Sequence, residues 1–257
     1  MGYPARYFEP GHVWHITHRC HNRDFLLEYG CYRDLWLKWL NEGRERFVIS
    51  ILNFTVTSNH IHLLIVGPRD KEAIPRLMQL VASRVGAIYN KRRNRKGAFW
   101  EKRYHATGVE TDEYLVRCSM YIDFNMNRAG VVEHPGKWKH CGYHEIVRPK
   151  KRSRLIDNAE LARLMGMPGD FDFSRHYSGW IENSIRKGNL SRDNIWTTEL
   201  AVGSKSYVEQ LRLKMGYTSK VTQDHSAVHD EQLPYGDRME SNMPAPLNCS
   251  QSKPQGI

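Results

Sequence analysis

Two histidines separated by one residue, His60 and His62, are a candidate metal-binding pair. They precede an apolar run that ends at Val66 and is typical of a buried strand. Side chains two positions apart on a strand project from the same face, so both imidazoles would point the same way. Two neighbouring imidazoles can share one divalent cation. With 13 histidines in the chain, such a pair also arises by chance, so the spacing alone does not establish a site.

Tyr121 and Asn125 are a second candidate pair, four residues apart in a segment with helical spacing of its apolar residues. Positions i and i+4 of a helix share a face, so the two side chains would project together. The asparagine would offer Mg²⁺ or Mn²⁺ a neutral oxygen, and the phenol could attack a phosphodiester polarised by that metal. Tyr114 is the rival tyrosine, but its i+4 partner is Cys118, which does not bind hard cations.

Alternating strands and helices would position these residues. The pattern predicts strands over Val13–His18, Val48–Val56, Ile61–Val66 and His105–Glu110, and helices over Tyr32–Phe47, Ile74–Tyr89 and Asp112–Arg128. The order β, α, β, β, α, β, α predicts one antiparallel sheet covered by helices, an α+β layer fold.

The remainder of the chain is predicted to be helical and then disordered. Arg148–Arg154 is typical of a basic linker, and short helices are predicted over Ala159–Met165, Ser174–Lys187 and Ser204–Met215. From Tyr217 the chain is polar, with four prolines and few large aliphatic residues, which is typical of disorder. We therefore expect a core over 1–147, a linker with a helical appendage over 148–216, and a disordered tail over 217–257.

The charge of the chain favours a polyanionic partner. Its 257 residues carry a formal net charge of +10, and Lys or Arg can displace the counterions of phosphates. Two basic runs are either solvated loops or nucleic-acid contacts. The first lies near Phe99 and Trp100 and would form a cationic groove with aromatic platforms for single-stranded DNA. The candidate DNA-binding residues in these runs are Arg92, Arg93, Arg95, Lys96, Lys150, Lys151 and Arg152.

Other sequence features argue against several classes of protein. The five cysteines are odd in number and contain no CxxC pair, so neither a disulfide framework nor a zinc knuckle is indicated. The sequence has no apolar run approaching the roughly 18 residues of a membrane span and no secretory signal. We expect a soluble protein of the cytoplasm that does not contact membranes. The cluster of His12, His15, His18 and His21 does not build a ligand set, because His15 and His18 would face opposite sides of a strand.

Several stretches together resemble the single-tyrosine HUH transposases, specifically the branch of REP-associated tyrosine transposases. The first is similar to the opening strand of that family, the second to its HUH signature and the third to its W-x-x-R segment. The clearest match begins with Asp-Glu-Tyr-Leu and includes the tyrosine and the asparagine. These stretches are Tyr7–Arg19, Asn59–Leu64, Phe99–His105, Asp112–Leu115, Tyr121–Asn125 and Arg128–Val131.

The resemblance implies a ferredoxin-like core, often forming a homodimer, that acts on single-stranded DNA near hairpins. The family's tyrosine joins the 5′-phosphate of the cut strand and frees a 3′-OH. Carried over, Tyr121 is the nucleophile, His60 and His62 bind the metal, and Asn125 occupies the position of a third ligand. Arg103 of the W-x-x-R segment becomes a further DNA-binding candidate. The family usually follows its asparagine with Pro-Val, whereas Met126-Asn127 stands here, which predicts a longer helix.

The leading hypothesis is therefore a metal-dependent, single-strand DNA transposase or endonuclease that acts through a covalent phosphotyrosine. One alternative is a domesticated hairpin-binding protein with little activity. The other is a metal nuclease that attacks with water and forms no covalent intermediate.

Overall fold

The computed structural model describes residues 8–149, 154–169 and 172–216, together with the backbone of 227–228. A six-stranded sheet in the order β2-β3-β1-β4-β5-β6 organises these residues. Its strands are β1 Val13–Arg19, β2 Ile51–Val56, β3 His60–Val66, β4 His105–Val109, β5 Ala201–Gly203 and β6 Ala227–Val228. The helices are α1 Gly30–Phe47, α2 Ala73–Arg92, α3 Glu113–Asp123, α4 Asn125–Arg128, α5 Tyr143–Val147, α6 Asn158–Leu164, α7 Phe173–Arg186, α8 Ile195–Thr198 and α9 Lys205–Lys214.

The first four strands form the antiparallel part of the sheet, in the order β2-β3-β1-β4. This βαββαβ arrangement is ferredoxin-like, and it confirms the predicted α+β fold class. The register places His60 opposite Arg19 and His62 opposite Thr17. The histidine pair therefore lies on a central strand, one strand away from the edge of this antiparallel part.

The C-terminal part of the chain adds strands to the sheet as well as helices. β5 pairs in parallel with β4, and β6 pairs in parallel with β5. The prediction of a purely antiparallel sheet is thus wrong beyond β4, because a three-residue strand is too short to show a periodic pattern. Packing is close at Gly108, where an added Cβ would lie 2.3 Å from Leu211 Cδ2 of α9 and would displace that buried side chain.

The other lateral edge of the sheet, at β2, is also covered by the chain itself. Thr55 forms an antiparallel bridge with Cys141, and Ile51 forms a parallel bridge with Ile156. The backbone N–H of Gly142 donates to Phe54 O at 2.8 Å. Segments from the C-terminal half therefore close both sides of the antiparallel core.

The two faces of the sheet differ in chemistry because each strand alternates. One face, here called the apolar face, carries buried side chains such as Trp14, Ile16, Ile61 and Leu63. α2 lies on that side: His18 stacks on Trp100, whose indole N–H donates to the carbonyl oxygen of Ala82 in α2 at 3.1 Å.

The opposite face, here called the polar face, carries most of the hydroxyl, amide, imidazole and guanidinium groups of the four core strands, the exception among the histidines being His18. α3 packs on it, with Thr55 Oγ1 donating to Ile122 O at 3.0 Å. The strand residues of the polar face include His15, Thr17, Arg19, Asn53, Thr55, His60, His62, His105 and Thr107.

The segment predicted as one helix over 112–128 is divided. α3 ends at Asp123 and α4 begins at Asn125, with Phe124 between them at φ −74° and ψ 2°. Helical residues do continue past Asn125 to Arg128, but as a separate short helix after the break at Phe124. Gly130, at φ +69°, adopts a left-handed conformation just beyond α4, where glycine carries little strain.

The predicted C-terminal helices are present as α6, α7 and α9, whereas α5 and α8 are short helices that the sequence pattern did not reveal. The predicted disordered tail lies outside the described residues, apart from 227–228. Four cysteines in the described part are free thiols. In the portion of the chain that the structure describes, every helix is too short or too polar to cross a membrane.

Candidate active site

The histidine pair sits at the start of β3, where Thr57 and Asn59 of the preceding turn fix the first ring. His60 Nδ1 lies 2.7 Å from Asn59 Oδ1 and 2.9 Å from Thr57 Oγ1. His62 is buried, and its ring centroid lies 5.0 Å from that of His60. The predicted convergence of the two imidazoles on one face is therefore present.

Asn125, the first residue of α4, reaches both imidazoles. Its Nδ2 lies 2.8 Å from His62 Nε2, and its side chain also hydrogen-bonds His60. The break in the helix at Phe124 thus does not remove Asn125 from the histidines. Its carboxamide occupies the place that the sequence predicted for a third ligand.

Tyr121, on the last turns of α3, lies beside the same histidines. Its ring centroid is 5.8 Å from that of His62, in an edge-on arrangement. The Arg128 guanidinium lies 4.1 Å over the Tyr121 ring, and its Nη2 donates to Tyr121 O at 2.7 Å. Tyr121 lines the cleft described below, whereas the rival Tyr114 does not. Metal-binding candidates and tyrosine meet within a single chain.

Burial governs the protonation of these groups. It lowers the pKa of His60 to about 4, and the nearby Arg19 and Arg192 act in the same direction. Burial also holds the pKa of His62 well below its ordinary value. Both rings are therefore neutral near pH 7, which is the form that binds a cation. Burial raises the pKa of Tyr121 above its ordinary value, although Arg128 and Arg192 oppose this shift.

The available donors fit a divalent cation only if Asn125 takes part. Across the described residues there is no group of three or more His, Cys, Asp or Glu side chains that could hold a metal ion. Two neutral imidazoles and one carboxamide oxygen would nevertheless suit a cation such as Mg²⁺ or Mn²⁺, with open positions left for phosphate and water.

A cleft of about 1010 Å³ opens at this site, and its walls are strongly basic. Among the described residues one acidic side chain, Glu101, lines it, and its surface also includes His60, His62, Tyr121 and Asn125. The predicted DNA-binding residue Arg103 lies in this cleft. The cationic side chains that line it are Arg19, Arg23, Lys102, Arg103, Arg128 and Arg192.

The other predicted DNA-binding residues lie elsewhere. The first basic run forms the end of α2 and the following turn, outside the cleft. The guanidinium of Arg93 lies 4.8 Å from the ring of Tyr29, and Arg95 donates to Asn90 Oδ1 and Ala98 O. Arg92 and Lys96 are exposed on the same segment. The second run, with Lys150, Lys151 and Arg152, falls outside the described residues.

The aromatic residues next to the first basic run are packing residues. Phe99 is buried against Tyr89, with ring centroids 5.0 Å apart. Trp100 stacks on His18 and donates to α2, as described above. They are therefore not arranged as platforms for unstacked bases.

Sequence reasoning missed several residues of the site. His15 Nε2 lies 2.9 Å from His62 Nδ1, and Trp196, whose carbonyl oxygen is 2.8 Å from His15 Nδ1, also neighbours Tyr121. Sequence reasoning set His15 aside together with His18. The two side chains do face opposite sides of β1, but His15 alone lies on the side of His62. Counting by twos from His15 through Thr17 to Arg19 would have assigned all three to the face of His60. Arg192 and Trp196 follow no periodic signal that could have identified them.

A buried polar network anchors the helix that carries Tyr121. Asp123 at the end of α3 accepts a hydrogen bond from Tyr177 of α7 at 2.7 Å and another from Asn53 of β2 at 3.2 Å. Ser119 of α3 also bonds the Tyr177 hydroxyl, at 2.9 Å. Burial raises the pKa of the Asp123 carboxyl to about 7. α3 is thus fixed to the sheet on one side and to the C-terminal helices on the other.

Comparisons with known proteins give one family match. Residues 10–125 match the family described as transposase IS200 like. No curated protein matches the chain. The structure of a REP-associated tyrosine transposase bound to a REP hairpin shares 17% identity, covering 58% of this chain and 87% of that chain with a TM-score of 0.49. A Deinococcus radiodurans R1 chain described as a candidate transposase shares 13% identity over 51% and 92%, with a TM-score of 0.33.

Proposed function

We propose that the chain, whose residues 10–125 match the IS200-like transposase family, cuts and rejoins single-stranded DNA through a covalent 5′-phosphotyrosine at Tyr121. The observation that carries this proposal is the meeting of Tyr121 with His60, His62 and Asn125 in one basic cleft. A nucleophile and candidate metal ligands at one place are what metal-assisted phosphodiester cleavage requires. We further propose that the substrate is single-stranded DNA near hairpins, as in the REP-associated branch that the sequence resembles.

In this proposal His60, His62 and Asn125 hold Mg²⁺ or Mn²⁺. The bound ion would supply Lewis-acid polarisation of the scissile phosphate. The neutral state of both imidazoles supports the assignment, since a protonated ring cannot bind a cation. The contacts of His60 Nδ1 support it as well: this nitrogen donates to Asn59 Oδ1 and also lies 2.9 Å from Thr57 Oγ1, which leaves the other ring nitrogen for the metal.

The tyrosine does the covalent work. Its phenolic oxygen attacks phosphorus, the bond from phosphorus to the 3′-oxygen breaks, and that oxygen takes a proton to leave as a 3′-OH. Because the pKa of Tyr121 is raised, the phenol gives up its own proton to solvent as it attacks. Rejoining reverses the step: a 3′-OH attacks the phosphotyrosine, and Tyr121 recovers a proton. Arg128, over the ring, supplies positive charge close to the reacting oxygen.

The cleft would bind the strand through its phosphates. Six cationic side chains line it against one carboxylate, which favours a polyanion over an anionic metabolite of a few charges. The exposed Arg92 and Lys96, together with Arg93 and Arg95, are proposed as phosphate contacts outside the cleft, and Lys150, Lys151 and Arg152 as contacts of the linker. The chemistry does not require a homodimer, because one chain supplies every group named here.

The decisive experiment traps the intermediate on a hairpin oligonucleotide from the flanking genomic DNA. In Mg²⁺ or Mn²⁺, the wild-type protein should give a DNA-linked band on a denaturing gel and a product with a free 3′-OH. Tyr121→Phe should give neither while binding the oligonucleotide with unchanged affinity. Tyr114→Phe is the matched control on the same helix and should keep both products.

Other outcomes identify the two alternatives. Metal-dependent cutting without a DNA-linked band, unaffected by Tyr121→Phe, would indicate a nuclease that attacks with water. Tight binding of the hairpin with no cutting under any metal condition would indicate a binding protein without this activity.

A further inference from the structure

We propose that His15 is a positioning residue that fixes the tautomer of His62 and so keeps His62 Nε2 unprotonated, the form that can bind a metal. The presence of a metal rests on the proposed function, whereas the hydrogen bonds that fix the tautomer are observed in the structure. His15 lies between the Trp196 carbonyl oxygen, 2.8 Å from its Nδ1, and His62 Nδ1, 2.9 Å from its Nε2.

The direction of these hydrogen bonds follows from their ends. A backbone carbonyl only accepts, so the Nδ1 of His15 must carry the proton that bonds Trp196 O. His15 is fully buried, and its two hydrogen-bond partners are uncharged, so it is held as a neutral ring with a single proton. Its Nε2 is then an acceptor.

The same logic continues to His62. Since His15 Nε2 accepts, the proton of this bond belongs to His62 Nδ1. The other nitrogen of His62, Nε2, is then unprotonated and faces Asn125 Nδ2 at 2.8 Å, an amide N–H that can donate to it. The chain of bonds is consistent from end to end and presents one lone pair at the candidate metal site.

Thr107 of β4 holds in place the segment that carries the Trp196 carbonyl oxygen, the hydrogen-bond partner of His15. Thr107 Oγ1 of β4 lies 3.3 Å from the same Trp196 oxygen and 2.7 Å from Glu199 O. Trp196 belongs to α8, outside the segment 10–125 that matches the transposase family. A C-terminal element therefore sets the protonation pattern of a histidine in the family core.

Packing is the competing explanation for His15. Its ring lies edge to edge with that of His62, with centroids 5.1 Å apart and planes 10° apart, so it also fills space. A packing role would be met by phenylalanine, which has a similar shape and no acceptor. A positioning role would be met by glutamine, whose carboxamide oxygen can accept from His62 Nδ1 while its NH₂ group donates.

The first measurement reads the tautomer in the wild-type protein. Long-range ¹⁵N–¹H spectra of the metal-free protein should show His62 protonated at Nδ1, with its signals identified by their loss in His62→Gln. Protonation of His62 at Nε2 would overturn the proposal, whatever the activity of the enzyme.

The second measurement titrates the DNA-free protein with Mn²⁺. His15→Phe should weaken Mn²⁺ affinity about 10- to 100-fold, as loss of a residue that orients a metal ligand does, whereas His15→Gln should stay within about threefold of wild type. Circular dichroism checks that each variant is folded. Equal affinity in wild type and folded His15→Phe would overturn the proposal, and so would equal losses in His15→Phe and His15→Gln.

These readouts are separate from those of the proposed function. A wild-type protein that binds Mn²⁺ through a His15-dependent His62 but never forms a DNA-linked band would refute the phosphotyrosine chemistry and leave the role of His15 intact. If the wild-type protein forms the DNA-linked band and His15→Phe binds Mn²⁺ as tightly as the wild type, the phosphotyrosine chemistry stands and the role of His15 is refuted.

Discussion

The two faces of the central sheet are built from the same strands but carry opposite chemistry. On β3, Leu63 points into the apolar face and His62 into the polar face, one residue apart. The apolar face buries aliphatic and aromatic side chains under α2, which is the usual source of folding stability. The polar face buries imidazole, amide and hydroxyl groups, which must be hydrogen-bonded to be tolerated.

The contrast shows why the site is rigid. Polar side chains such as Asn53 and Thr55 are satisfied by α3, and this packing brings Tyr121 to the histidines. Because side chains alternate along a strand, a one-residue slip of β3 would exchange the two faces. The apolar face therefore holds the register on which the polar face depends.

Substitutions at two neighbouring residues of β3 give the strongest test of whether catalysis depends on the polar face and stability on the apolar face. His62→Gln should reduce the rate of DNA cleavage at least about 1000-fold, because a lost metal ligand removes several kcal/mol of transition-state stabilisation. Its thermal unfolding midpoint should remain close to that of the wild type. Single-turnover cleavage of a hairpin oligonucleotide and calorimetry measure the two quantities.

Leu63→Ala should show the opposite pattern. Removing a fully buried leucine side chain should lower the free energy of unfolding by about 2 to 5 kcal/mol. Cleavage at a temperature where the variant is folded should proceed at nearly the wild-type rate. Denaturant titration gives the first value, and a large rate loss in folded Leu63→Ala would contradict the division of labour between the faces.

The buried carboxyl beneath α3 gives the polar face a pH dependence. Burial raises the pKa of Asp123 to about 7 in the folded protein, from an ordinary value of 3.8. A raised pKa means that the native state binds the proton more tightly, so this contribution is complete below about pH 4 and is lost as the pH rises through 7. Between pH 5 and 8 the loss should be about 2 to 3 kcal/mol.

Asp123→Asn isolates this effect, because its side chain does not titrate. The difference in unfolding free energy between wild type and Asp123→Asn should change with pH in that direction, measured by denaturant titration at each pH. Histidines of depressed pKa contribute in the opposite sense, but they are common to both proteins and cancel. A difference that is flat from pH 5 to 8 would show that Asp123 is ionised throughout.

The smallest expected effect is on DNA binding, and it should differ between an arginine inside the cleft and one outside it. Arg103 lines the cleft, whereas Arg92 lies at the end of α2, on the side of the apolar face. Arg103→Ala should weaken binding of single-stranded DNA about three- to tenfold and reduce the slope of log affinity against log salt by about 0.7. Arg92→Ala should weaken this binding less than Arg103→Ala, because Arg92 lies outside the cleft. Fluorescence anisotropy at several salt concentrations measures the affinities and the slopes, and equal effects of the two variants would contradict this placement.

The alternation of residues was enough to predict the core of the fold. The four core strands and their order along the chain followed from runs such as Ile61–Val66, and α1 and α2 from apolar residues at helical spacing. Period two also placed His60 and His62 together, and the i to i+4 spacing brought Asn125 to Tyr121's neighbourhood. These are local rules, and local rules transfer well from sequence to structure.

Contacts between distant segments could not be predicted in the same way. His15 and Trp196 are 181 residues apart in the chain, and the hydrogen bond between them depends on β5 adding to the sheet beside β4. The cleft likewise draws Arg19 and Arg192 from opposite ends of the described chain. The basic run at the end of α2 is the densest cluster of cations in that part of the sequence, but its composition does not show which surface it faces, and it lies outside the cleft.

The closed sides of the sheet restrict how copies of this protein can associate. A free strand edge is a template on which another chain can add a strand, and proteins commonly cover such edges. Here the bridges from Cys141 and Ile156 occupy β2, while β5 occupies β4 and is followed by a strand of only two residues. Within the described residues both edges of the antiparallel core are thus covered, so strand addition by a second copy is disfavoured next to the strands that hold the histidines.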